Sequence, residues 1–254
     1  MFMNTQVSEV CSLSSELPTD PQQAPAWLVS ALQVPREEGW IDSGGCNVHY
    51  FRWGNPENPP ILLMHGFLAH ARCFAFIAPF LAEHYHVVAY DLSGMGDSEA
   101  RESYPDKVRA QEVVDVARGT GLFEHDAKPI VIAHSYGGHV GLNAMERHGE
   151  LFDGLIICDL MVLRVERLKA HFSNGKPMRS DRSRPNRVYP DYASARARFV
   201  LSPPQPVTVE YLNEYMAYHS LKQVVGGWTW KFDISVFDSD FGVSDRILKQ
   251  AQAI

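Results

Sequence analysis

No apolar run in this sequence approaches the roughly 20 residues that cross a bilayer, so no membrane partner is expected. Cysteine is sparse. Cys11, Cys46, Cys73 and Cys158 stand far apart with no CxxC pair, which argues against a zinc site and a disulfide framework. Positive charge is in deficit, with 23 Lys+Arg against 30 Asp+Glu and a formal net charge of −7. Such a chain is poorly suited to nucleic acid, which needs a basic surface, and none is expected as a partner. The first 35 residues contain no Lys or Arg, and no apolar stretch of about 7–15 residues as in a signal peptide. Free thiols and a cytoplasmic location are therefore the expectation. What is present is ordinary: 254 residues, 45% hydrophobic and 21% charged, enough for one large domain or a core with an inserted lid.

Residues 1–25 are polar and aperiodic, and 1–36 is read as an N-terminal arm. Gly39–Ser43 and Cys46–Trp53 read as a hairpin turning at Gly44-Gly45. Ile61–Met64, His86–Tyr90, Ile130–Ala133 and Leu155–Cys158 read as strands. Cys73–Tyr85, Asp106–Gly119 and Gly137–His148 read as helices between them. This alternation predicts a parallel sheet covered by helices on both faces, spanning 37–160. After Asp159 the pattern breaks. Residues 164–198 hold ten Lys/Arg against three Asp/Glu. A Pro-rich loop, Ser202–Pro206, precedes a helix expected from about Thr208 to Gln223. Residues 161–232 read as an insertion over the sheet that adds no sheet layer, and 233–254 as an incomplete return ending in an amphipathic helix.

Three segments carry chemistry. In Pro129–Gly138 (PIVIAHSYGG) a strand runs through Ala133-His134-Ser135-Tyr136-Gly137 straight into a helix. A serine held on a strained strand-to-helix turn presents its oxygen above the strand ends, and small residues two before and two after it let the backbones nearly touch. Ala133 and Gly137 meet that demand, and Ser135 is the candidate nucleophile. In Ile61–Phe67 (ILLMHGF) a buried strand ends at His65-Gly66. The backbone amides of Phe67 and Tyr136 are the candidate oxyanion donors. His65, Gly66, His134 and Gly137 form the supporting loops, and His65 is read as orienting its loop with no proton-transfer role. The third segment, Asp91–Ser98 (DLSGMGDS), comes directly after a strand but matches neither GxGxxG nor GxxxxGK[ST]. It is read as a structural turn in which Asp97 or Ser98 caps the next segment, and no cofactor is expected.

In this order the three segments resemble the α/β-hydrolase superfamily over roughly residues 38–160. The resemblance implies a mostly parallel sheet with a helical cap inserted after the sixth strand, and the GGWTWKFD stretch is similar to the return from the cap in epoxide-hydrolase-like members. Those members carry Asp at the nucleophile position. Ser135 instead implies a cofactor-independent serine hydrolase acting on an ester, thioester or related acyl bond of a small molecule. The family's triad order is Ser, acid, His. Only 24 residues follow Trp230, and none is His. The expectation is a chain that stops before the last strands of the sheet and before the triad His. Asp159, ending the sixth strand, is a weak acid candidate, and His171 and His219 could reach over only from the cap. An apolar strand edge at Leu155–Cys158 would then invite self-association. A non-catalytic ligand-binding or interaction protein is the alternative.

Overall fold

The computed structural model describes residues 24–160, 167, 185–201 and 206–238. Within the segment read as an arm, α1 (Ala26–Leu32) is a helix with Leu28 and Leu32 in the core. β1 (Glu37–Asp42) and β2 (Asn47–Trp53) pair antiparallel across a turn in which Gly44 and Gly45 take positive φ of 59° and 80°. β3 (Pro60–Met64) and α2 (Ala78–Leu81) come next, then β4 (His86–Tyr90), α3 (Asp106–Gly119), β5 (Ile130–His134), α4 (Tyr136–His148) and β6 (Gly154–Cys158). The sheet order is β1-β2-β4-β3-β5-β6, with β4, β3, β5 and β6 mutually parallel and β2 antiparallel to β4.

Every residue of β3 and β4 is buried, which is why β3 reads as an unbroken apolar run and β4 as one broken only by His86. Their side chains alternate between two cores. Leu62, Met64, Val88 and Tyr90 pack with Val113 and Val116 of α3 and Val140 and Ala144 of α4. Ile61, Leu63, Val87 and Ala89 pack with α1 and Ala78 of α2 on the opposite face. In α3, Asp106 in the first turn and Arg118 in the last complement the helix dipole.

Beyond β6 lie α5 (Tyr192–Arg196), α6 (Glu210–His219), β7 (Leu221–Val224) and β8 (Gly227–Trp230). Tyr189, Ala195 and Leu221, with Tyr192, Trp228 and Trp230, form a small core of their own. Tyr211 and Tyr215 of α6 join the second core of the main sheet.

Four expectations are corrected. The helix expected over Cys73–Tyr85 is a 3₁₀ turn, Ala71–Phe74, and then the short α2. Pro79 is tolerated only in the first turn of a helix, so it divides the run. The helix expected to reach Gln223 ends at His219, because Leu221–Val224 folds back through Gly226 and Gly227 onto β8. The insertion therefore does contain a sheet, of two strands. Ser98 caps no helix: its hydroxyl donates to the Asp91 carbonyl at 2.6 Å and accepts from the His49 N–H at 2.8 Å. The arm over 1–23, Cys11, most of the basic run including His171, residues 202–205, and the C-terminal helix all lie outside the described residues.

Candidate functional site

The connection from β3 runs to β4 on one side, and that from β5 runs through α4 to β6 on the other, so the strand order reverses between β3 and β5. The crevice at the carboxyl ends of strands beside such a reversal is where open α/β sheets bind ligands. The two segments singled out in the sequence leave the sheet at that point: His65–Phe67 after β3, and Ser135 after β5. Met64 and Ala133 are register partners at the mouth of the crevice.

Ser135 lies between the last residue of β5 and the first of α4, with φ 50° and ψ −118°. For a non-glycine residue this conformation costs roughly 1–3 kcal/mol and persists only where the surroundings impose it. They do so here. The Ser135 N–H donates to the Cys158 carbonyl at 2.9 Å, extending the β5–β6 ladder, and the Ser135 carbonyl accepts from the Gly138 N–H at 2.8 Å, starting the helix.

Glycine is required on both sides of this turn. A Cβ on Gly137 would stand 2.7 Å from the His65 carbonyl oxygen and 2.8 Å from that of Met64. A Cβ on Gly66 would stand 2.9 Å from His134 Nδ1 and 3.3 Å from Ser135 Cβ. The first turn of α4 and the loop after β3 are thus in close contact, with Ser135 between them. Phe67 and Tyr136 meet edge to face, their ring centroids 5.2 Å apart. His134 is exposed, its ring over Gly66, while Ser135 is half-buried.

His65 is fully buried and engaged at both nitrogens. Nε2 accepts the Leu92 N–H at 3.0 Å, so Nδ1 carries the proton and donates to the Gly66 carbonyl at 2.7 Å. Burial pushes its pKa below the ordinary value. A neutral ring locked in one tautomer fits loop orientation better than proton transfer.

Asp91 sits beneath the same loop. Its Oδ1 accepts the Ala71 N–H at 2.6 Å, and its Oδ2 accepts the Asp97 N–H at 2.9 Å and faces His49 Nδ1 at 2.7 Å. Burial opposes ionisation, but the His49 hydrogen bond and charge outweigh it and hold the carboxyl well below the usual range. His49, Asp91 and Asp97 cluster closely enough to suggest metal ligands. Yet both His49 nitrogens face carboxylates as donors, and Asp97 is ion-paired with Lys231 at 2.6 Å. The donor set is that of an ion-pair network. Sequence reading missed this network: the Asp91 turn was legible, but its partners Glu38 and His49 lie on the hairpin with no spacing signal.

Other candidates are placed less tellingly. Asp159 comes directly after β6 with φ 57°, is exposed, and makes no hydrogen bond with the described residues. His219 ends α6, buried against Tyr215 at 4.5 Å and Tyr218 at 5.2 Å, with His70 at 6.3 Å. Burial first, then the charge of Arg72, holds its pKa well below the ordinary value. Among the described residues no histidine is hydrogen-bonded to the Ser135 hydroxyl. The aromatics of the return segment form a seam: Trp230 stacks with Phe232, Phe232 meets Phe237, and Phe237 meets Phe67 at 5.4 Å.

The model of the Alpha/beta hydrolase family matches residues 61–239, well over half of the chain. The chain belongs to the α/β hydrolase family. It is 30% identical over 137 residues to "Epoxide hydrolase 3" of Xenopus tropicalis, covering 53% of this chain and 36% of that protein. It is 31% identical over 117 residues to the uncharacterized hydrolase YugF of Bacillus subtilis, covering 44% and 41%. A 2-hydroxy-6-oxo-6-(2'-aminophenyl)hexa-2,4-dienoic acid hydrolase of Metapseudomonas resinovorans is 29% identical over 133 residues, covering 51% and 44%. The chain spans less than half the length of these curated relatives. Among solved structures, the thioesterase domain from the curacin biosynthetic pathway superposes with a TM-score of 0.63 at 24% identity, over 84% of this chain and 78% of that one. E-2-(acetamidomethylene)succinate hydrolase superposes at 0.64 with 18% identity, over 82% and 76%. These likenesses establish the α/β hydrolase fold.

Proposed function

We propose that this protein is a cofactor-independent serine hydrolase that cleaves an ester, thioester or related acyl bond of a small molecule. The observation that carries the reading is Ser135 itself, at φ 50° on the turn between β5 and α4, with the Gly66–Phe67 loop against it at the strand reversal. In this reading the Ser135 oxygen attacks the acyl carbon and gives its proton to a base. The carbonyl oxygen gains the charge and accepts from the Phe67 and Tyr136 amides. Collapse expels the leaving group, and water then releases the acid. The base comes from outside the described residues, and Asp159 keeps its place as an acid candidate by position alone. Three free cysteines, Cys46, Cys73 and Cys158, favour a cytoplasmic setting.

A non-catalytic member that binds ligand in the same crevice is the second reading. It is favoured by the one feature the crevice lacks among the described residues, a histidine on the Ser135 hydroxyl. Hydrolysis of p-nitrophenyl esters by the chain and by Ser135→Ala separates the two. Turnover that Ser135→Ala abolishes supports the hydrolase, and turnover that survives it sinks that reading. Binding of an acyl ligand without Ser135-dependent turnover supports the second.

A further inference from the structure

Glu38, His49 and Asp91 form a chain, half-buried at Glu38 and fully buried at the other two, that begins on the hairpin and ends on the loop after β4, where Asp91 meets the end of the loop carrying Phe67. His49 lies on β2 with no exposed surface. Its Nδ1 is 2.7 Å from Asp91 Oδ2 and its Nε2 is 2.9 Å from Glu38 Oε1. An ionised carboxylate only accepts, so both ring nitrogens must donate, and only the imidazolium can do that. Asp91 passes the contact on through the Ala71 N–H. Ala71 closes the segment that begins at Gly66, and the Ala69 N–H bonds back to the Gly66 carbonyl at 3.2 Å. Asp91 therefore pins the far end of the short loop that holds Phe67.

We propose that His49 is a positioning residue for the Ser135 site: as a buried cation it balances Asp91, and Asp91 holds the Phe67 amide in place. The consequence for turnover rests on the serine-hydrolase reading; the consequence for the loop rests on the geometry alone.

The groups facing His49 are few. β1 contributes Glu38 and the Trp40 ring at 5.0 Å, and β2 contributes Phe51, edge-on at 4.7 Å. Asp91 and Asp97 face it from the loop after β4, with Lys231 paired to Asp97. Arg72 reaches Glu38 at 3.3 Å, and the charge of Arg36 acts on Glu38 as well. Burial opposes the charge on His49, but its hydrogen bonds to Asp91 and Glu38 raise the pKa to about 9. The ring thus stays charged through neutrality. As pH rises through about 9 it loses the proton, a ring lone pair faces a carboxylate, and Asp91 loses its counter-charge.

Nitrogen NMR of the histidine-labelled chain, read together with the Phe67 backbone amide, tests this. At pH 7.5 both His49 nitrogens are expected to be protonated, with half-titration near pH 9 and the Phe67 amide shift tracking the same midpoint. Glu38→Gln keeps the Asp91 contact and removes one carboxylate, so both midpoints should fall together, by about one pH unit. A His49 neutral at pH 7.5 overturns the proposal, as does a Phe67 amide that stays still while His49 titrates. Any Ser135-dependent ester turnover should lose kcat across the same midpoint, and Glu38→Gln should move that loss downward. An absence of such turnover sinks the serine-hydrolase reading while the amide titration still decides the coupling.

Discussion

Ser135 holds its conformation because its neighbours leave no alternative: the ladder bond to Cys158 fixes one side and the helix-starting bond from Gly138 fixes the other. The strain is stored in the residue, so removing its Cβ should release it. Ser135→Gly is expected to raise stability by roughly 1 kcal/mol in urea denaturation while abolishing any ester turnover. Gly137→Ala should do the reverse. Its new methyl would meet the backbone oxygens of Met64 and His65, which cannot rotate away, and a loss of roughly 1–3 kcal/mol is expected in the same assay. Both positions were legible in the sequence, because contact between backbones demands small residues at fixed spacing. His49 was not legible. Its role depends on Asp91 arriving from another strand, and a histidine inside NVHYFRW carries no sign of that partner.

At the scale of elements, the strands and α3 were readable for a simple reason. Central strands are buried on both faces and so appear as short apolar runs, and α3 shows its buried Ala110, Val113, Val114, Val116 and Ala117 at helical spacing. The elements misjudged were those whose ends depend on a single punctuating residue, Pro79 in one case and the Gly226-Gly227 turn in the other. The Asp91–Ser98 loop is fastened to α3 through Glu112, which is fully buried. Glu112 accepts from the Ser93 N–H at 3.0 Å, from Arg101 at 3.1 Å and from Arg109 at 3.3 Å. Glu112→Ala strands the buried Arg109 without its countercharge and should cost roughly 3–5 kcal/mol by thermal or chemical unfolding. Arg118→Ala, removing an exposed partner 3.7 Å from Asp115 on the same helix, should change stability by less than about 0.5 kcal/mol. Comparable losses from the two substitutions would contradict this account of the loop.

At the scale of the molecule, the return segment is stitched to the core at several points that sequence could not pair. The Asp233 carboxylate accepts the Tyr104 hydroxyl at 2.7 Å, and its N–H donates to the Gly94 carbonyl at 2.8 Å. Lys231 pairs with Asp97, and Phe237 lies on Phe67. The outer edge of the sheet is different. β6 pairs only with β5 among the described residues, and Ile156 is 51% exposed on it. A strand edge left unpaired can recruit a second strand, and we propose self-association through this edge. Size-exclusion chromatography should show concentration-dependent oligomers that Ile156→Lys disperses. A monodisperse wild-type monomer at high concentration would count against it.

The claim on which the functional reading depends is that Ser135 is the nucleophile, and covalent labelling tests it most directly. The folded chain is incubated with excess fluorophosphonate and the adduct is located by peptide mass spectrometry. The account predicts a single adduct on the peptide carrying Ser135, absent from Ser135→Ala. An adduct on another residue alone, or labelling that Ser135→Ala leaves unchanged, would contradict it.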